Sequence, residues 1–208
     1  MNRRAFLSTA AVGLAGVALP AGLRAATSPI PQGMTPASTG VRPELLARAY
    51  QAFAKHQRSI IRRDVIAIAD FGVPSREPRF HLLDMLNGRT SSFLVAHGKG
   101  SDREHSGWLQ QFSNIPGSEA TSSGSYLVGQ TYIGEHGYSR RLGGLDPENN
   151  NAASRAIVIH PAWYVSSTLA NEQGKIGRSQ GCFALPTEDI AQVISRLSTG
   201  SLLYADKV

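Results

Sequence analysis

The chain has 208 residues, of which 41% are hydrophobic and 17% charged, with a formal charge of +6. That is apolar enough to bury one core and excludes an intrinsically disordered chain. Basic residues do not cluster with interleaved aromatics, so the positive balance does not point to nucleic acid, and one cysteine excludes an internal disulfide.

The chain opens on MNRRAFLSTAAVGLAGVALPAGLRAATS, with Arg3 and Arg4 ahead of a short Ala/Val/Leu-rich run from Ala10 to Leu19, then small residues at Ala25 and Ala26. The run is shorter than the roughly 20 residues a bilayer span needs. Residues 1–26 therefore read as a cleaved export signal, leaving no stable membrane anchor. The arginine pair just before Phe6 and Leu7 resembles a twin-arginine signal. Cleavage after Ala26 would lower the charge to +3, because Arg3, Arg4 and Arg24 leave and no acidic residue goes with them. The expected location is outside the cytoplasm, in the periplasm or at a polyanionic cell wall.

Residues 27–42, rich in Pro, Ser, Thr and Gly, read as a flexible linker to one domain over 43–208. Pro43 opens a helix in PELLARAYQAFAKHQRSI, with Leu45, Leu46, Ala49, Tyr50 and Phe53 on one face and His56 on the solvated side. The pattern then turns β-like. DVIAIADF (64–71) reads as a strand, RFHLLDML and SSFLVAH flank an Asn87-Gly88 hairpin turn, and a Gly/Ser-rich loop runs from His97 to about Ser123. SYLVGQTYIG and RAIVIH read as further strands, and PTEDIAQVISRLSTG as a helix with Thr187 as N-cap. SLLYAD closes the chain as a strand. Strands outnumber helices without regular βαβ alternation, which predicts a mostly β, mostly antiparallel fold.

The lone cysteine, Cys182 in GRSQGCFALP, is either an inert buried thiol or a reactive one. A free thiol is only a few per cent ionised at neutral pH, so a nucleophile needs a base or a positive environment. Of the six histidines, His56 reads as solvated, His81 as structural within a strand, and His105 as an ordinary loop residue. His160 ends an apolar strand just before Pro161, where a rigid scaffold delivers a polar side chain to a loop mouth. The Gly181 and Cys182 amides are candidates for an oxyanion hole, and Ser179 for supporting the turn. Arg178 is the candidate cation to lower the thiol pKa or hold a substrate carboxylate. No GxSxG elbow supports a serine nucleophile.

His160, then eighteen residues, then Ser179-Gln180-Gly181-Cys182 resembles the signature of L,D-transpeptidase catalytic domains of the YkuD-like type. HGKGS (97–101), FSNIPGS (112–118), the stretch 122–146 and RAIVIHPAWYV (155–165) extend the resemblance over roughly residues 60–205. It implies a mostly β, sandwich- or barrel-like domain carrying the cysteine loop, to which the residue patterns add an N-terminal helix and a second helix after that loop. It also implies Cys182 as nucleophile, His160 as base, the Pro161 carbonyl as orienting group, and peptidoglycan stem peptides as partners. Acyl transfer through a Cys182 thioester needs no metal or other cofactor, and no HExxH spacing is present. Many relatives carry an arginine two residues after the cysteine, where this chain has Ala184. Arg178 and Ser179, with His97, Lys99, Tyr132, His136 and Tyr138 in glycine-rich segments, are then the candidate substrate contacts. Hydrolysis, as an L,D-carboxypeptidase or other cell-wall cysteine peptidase, is one alternative. A non-catalytic wall-binding domain with a buried Cys182 is another.

Overall fold

The structure, a computed structural model, describes residues 39–208. The expected export signal and the linker up to residue 38 lie outside the described residues. Among the described residues no helix is long and apolar enough to cross a membrane.

Helix α1 (Pro43–Lys55) starts with proline at the position where no backbone N–H is required, with Glu44 in its first turn and Lys55 in its last. Its Leu45, Leu46 and Ala49 are buried against Ile66 and Ile68 of strand β1 (Val65–Asp70). The opposite face of β1, through Val65, Ala67 and Ala69, enters a larger cluster with Phe80, Leu82, Tyr126 and Phe183. Burial on both faces explains why β1 reads as a continuous apolar run. The end of the expected linker is also packed. Thr39 and Val41 are buried, and the Arg42 guanidinium pairs with buried Asp70, its Nε 2.7 Å from Oδ2.

Seven further strands follow: β2 (Phe80–Asp84), β3 (Thr90–Phe93), β4 (Gly124–Gly134), β5 (Gly137–Gly144), β6 (Val158–Pro161), β7 (Phe183–Leu185) and β8 (Leu202–Asp206). They form one sheet in the order β3-β2-β1-β8-β4-β5-β6-β7. Only β1–β8 and β6–β7 are parallel. The chain leaving β3 reaches the opposite edge, where the Ala96 N–H donates to the Ala184 carbonyl at 2.9 Å and the Ser179 N–H to the His97 carbonyl at 2.9 Å. The sheet thus curls towards closure, which covers its edges. Among the described residues two more α-helices follow, α2 (Ser167–Gln173) and α3 (Ile190–Arg196), the latter packing Ile190, Val193 and Ile194 into the larger cluster. The fold is mostly β, with helices before the strands and after the cysteine loop.

Three local readings are corrected. Helix α3 begins at Ile190, later than expected; Thr187 lies in the preceding turn, and Asp189 occupies the N-cap without a capping hydrogen bond. His56 is not solvated, since its Nε2 lies 2.9 Å from the Asp146 carboxylate, which also takes Lys55. Strand β5, GYSRRLGG, was not expected from its composition. Its buried Arg140 is accommodated because the guanidinium donates to the carbonyls of Gly129 (2.8 Å) and Ile194 (3.0 Å).

Candidate active site

Parallel pairing of β6 with β7 sets Ile159 opposite Phe183 and His160 opposite Ala184. Residues two apart share a strand face, so Cys182, just ahead of β7, lies diagonally beside His160. Both line one cleft of about 550 Å³. The alternate residues Ile157 and Ile159 anchor the strand in the core.

His160 is 3% exposed. Its Nδ1 lies 2.9 Å from the Pro161 carbonyl, which can only accept, so Nδ1 carries the proton and Nε2 the lone pair. The ring stacks on His136 from the turn between β4 and β5, with centroids 4.3 Å apart and planes at 26°. Burial holds the His160 pKa below its ordinary value, so the imidazole is neutral at neutral pH.

Cys182 is partly exposed, and its Sγ donates to the Ala156 carbonyl at 3.5 Å. Ala156 has a φ of 52°, an uncommon left-handed conformation for a residue with a Cβ. Dense surroundings push the thiol above its ordinary pKa; a hydrogen bond from Val158 and the charge of Arg155 oppose that shift without overcoming it. The charge of Arg155 thus favours the thiolate. The resting pair is a neutral thiol beside a neutral imidazole.

Arg155 opens the RAIVIHPAWYV stretch, three residues before β6, and was given no role in the sequence. Its guanidinium donates to the Ser113 carbonyl at 2.8 Å, Ser118 Oγ at 3.3 Å and the Ala120 carbonyl. The FSNIPGS segment therefore holds an arginine beside the thiol. Tyr164, whose burial raises its pKa to about 12, and Trp163, 82% exposed, also line the cleft and were missed.

The cysteine loop is tightly determined. Gly181 has a φ of 114°, and a Cβ there would lie 2.7 Å from the Ala120 carbonyl oxygen, so only glycine fits. Ser179 is buried; its Oγ donates to the Cys182 carbonyl at 2.7 Å and accepts the Gly181 N–H at 3.1 Å. Ser179 therefore shapes the turn. The Gly181 amide is committed to it and is withdrawn from the expected oxyanion hole, leaving the Cys182 amide as the candidate donor.

The other expected contacts divide. His136 and Arg178 line the cleft, with Arg178 Nη1 donating to the carbonyls of Asp102 and of Arg103, the latter at 3.1 Å. His97 is buried between Arg79 (Nη2 to Nδ1, 2.7 Å) and Asp102 (Oδ2 to Nε2, 3.3 Å), so it faces no substrate. Tyr132 and Tyr138 stand on the β4–β5 hairpin outside the cleft lining, Tyr132 under the Arg141 guanidinium at 4.4 Å and Tyr138 44% exposed. Ala184 is fully buried.

The sequence model of the L,D-transpeptidase catalytic domain matches residues 37–205. The chain belongs to that family. A comparison with curated proteins gave no match. Solved structures similar to this L,D-transpeptidase domain include an L,D-transpeptidase from Mycobacterium smegmatis, at 13% identity over 69% of this chain and 58% of that one, with a TM-score of 0.43. Another is L,D-transpeptidase 3 from Mycobacterium tuberculosis, at 14% identity over 69% and 61%, TM-score 0.43. A third is the helical cell shape determining protein Pgp2 from Campylobacter jejuni, at 13% identity over 71% and 48%, TM-score 0.45. The chain thus spans between 48% and 61% of these neighbours' lengths.

Proposed function

We propose that this domain is an exported cysteine acyltransferase that cleaves an L,D-peptide bond in peptidoglycan stems and passes the acyl group to an amine. The observation that carries the reading is the placement of a partly exposed thiol diagonally beside a neutral, tautomer-fixed imidazole in one cleft. Export through residues 1–26 would bring the domain to this substrate.

The direction of both pKa shifts supports one order of proton movement. Because the resting thiol is protonated, His160 Nε2 takes the Sγ proton as sulfur attacks the carbonyl of the L-residue. The oxyanion accepts from the Cys182 N–H. Collapse of the tetrahedral centre breaks the C–N bond, and the imidazolium returns the proton to the departing D-amino acid. A stem amine then attacks the thioester, its proton passes to His160, and the thiol is restored. Water in place of the amine gives a carboxypeptidase from the same intermediate.

The test is to incubate purified protein with tetrapeptide muropeptides and separate the products by liquid chromatography and mass spectrometry. Crosslinked dimers with release of the terminal D-residue are expected. Trimmed monomers alone would assign the carboxypeptidase, and unchanged muropeptides from folded protein would leave a wall-binding domain.

A further inference from the structure

A second cleft of about 430 Å³ lies beside the first, and the two share Lys99 and Arg178 along their seam. Arg103 completes the basic lining of the second, and Glu119 is its one acidic lining residue. Among the described residues, no ion pair within 4.0 Å engages Lys99, Arg103 or Arg178. Three cations without an ion-pair partner around one cleft, two of them at the seam, repel one another, a cost that a bound anion removes.

The shelf beneath them is rigid. The Lys99 N–H donates to the Ser179 carbonyl at 2.8 Å, and the Gly100 N–H to the Glu119 carbonyl at 3.0 Å. A Cβ on Gly98 would come within 2.8 Å of the Gly181 backbone, so the segment that carries Lys99 lies directly against the cysteine loop. Below it, the Asp102 carboxylate accepts the N–H groups of Ser106 (2.8 Å) and Gly107 (2.9 Å) and faces His97, while its carbonyl accepts from Arg178. Lys99 is exposed, so the fold fixes its backbone and leaves its ammonium for a ligand. Arg155, the other cation lining the first cleft, gives both terminal nitrogens to Ser113, Ser118 and Ala120, whereas the carbonyl contacts of Arg178 are made by Nη1.

We infer that Lys99, Arg103 and Arg178 form a subsite for a free carboxylate of the peptide stem, next to the bond presented to Cys182. This rests on the reading that the cleft takes peptide stems. The carboxylate belongs either to the donor or to the acceptor, and two arms of one experiment separate these sources.

In the first arm, calorimetry measures binding of stem peptides, each with one carboxylate free or amidated, to the full chain carrying Cys182→Ala, with and without Lys99→Met. A charge-assisted contact predicts about tenfold weaker binding of the free-carboxylate peptide on Lys99→Met, with the amidated peptide nearly unaffected. Raised salt should narrow the difference, and Lys99→Arg should restore most of it. In the second arm, with Cys182 present, thioester formation from the donor is timed separately from transfer to free or amidated acceptors. Slowed thioester formation in Lys99→Met assigns the carboxylate to the donor; slowed transfer alone assigns it to the acceptor. Equal effects on free and amidated peptides in both arms would overturn the subsite while leaving acyl transfer intact. Carboxylate-dependent binding without any thioester would keep the subsite and overturn acyl transfer. No binding of any stem would overturn the subsite.

Discussion

His160 and His97 are nearly equally buried, 3% and 1% exposed, and burial depresses the pKa of both. Their surroundings part them. Arg79 and Asp102 close on the two ring nitrogens of His97, and Arg79 is itself buried against the Phe71 ring at 5.0 Å. At His160 the Pro161 carbonyl takes Nδ1, and the ring lines the Cys182 cleft with Nε2 carrying the lone pair. Burial and a lowered pKa therefore do not identify a base. The proposed mechanism asks in addition for a nitrogen left for the proton in a cleft that also holds the thiol, and of these two histidines His160 has that placement.

Substitutions can break this contrast. Cys182→Ala should remove thioester formation altogether while unfolding cooperatively, as followed by intact-protein mass and circular dichroism. His160→Ala should slow acylation by about 10²–10⁴-fold and leave a folded domain; retained full turnover would remove His160 from the mechanism. His97→Ala should instead act on stability, by about 2–4 kcal/mol in urea unfolding, because buried Arg79 and Asp102 lose their shared partner. If it abolished acylation at unchanged stability, the two roles would be exchanged.

The acid limb of stability sharpens the same contrast. Burial, and then the nearby charge of Arg79, lower the His97 pKa to about 3 from an ordinary 6.5. Across that window the unfolded chain binds a proton that the folded chain refuses, so stability should fall as pH falls. His97→Gln should flatten the pH dependence of the urea midpoint there, and an unchanged slope would contradict the account. The smallest effect is expected at His136. Loss of its stack on His160, worth about 0.5–1.5 kcal/mol, should slow acylation two- to tenfold in His136→Ala, with His136→Phe closer to wild type.

Much of the fold was legible because single elements carry their own signals. The run of β1, the Pro43 helix start and the Asn87-Gly88 turn each express local chemistry. Strand β5 was hidden because Arg140 is buried by distant carbonyls, a compensation that no local pattern reveals. The same holds at the site. The strand ending in His160 and the glycine before Cys182 are local features. The enclosure of His97 by Arg79, eighteen positions earlier, and Asp102 is made by the fold. Ser179 presented the same chemistry for a turn as for a ligand, and only its burial and two hydrogen bonds assign it to the turn. Arg155 was given no role because its neighbours Ser113, Ser118 and Ala120 come from a separate loop.

In the proposed reaction Cys182 carries the acyl group and His160 moves the proton. The most direct measurement is intact-protein mass spectrometry after brief exposure to a tetrapeptide stem, followed by acid quench, proteolysis and mapping of the adduct. An added tripeptide-acyl mass is expected on the peptide containing Cys182, absent in Cys182→Ala and strongly delayed in His160→Ala. An adduct on another residue, or product formation undiminished in Cys182→Ala, would contradict that reaction.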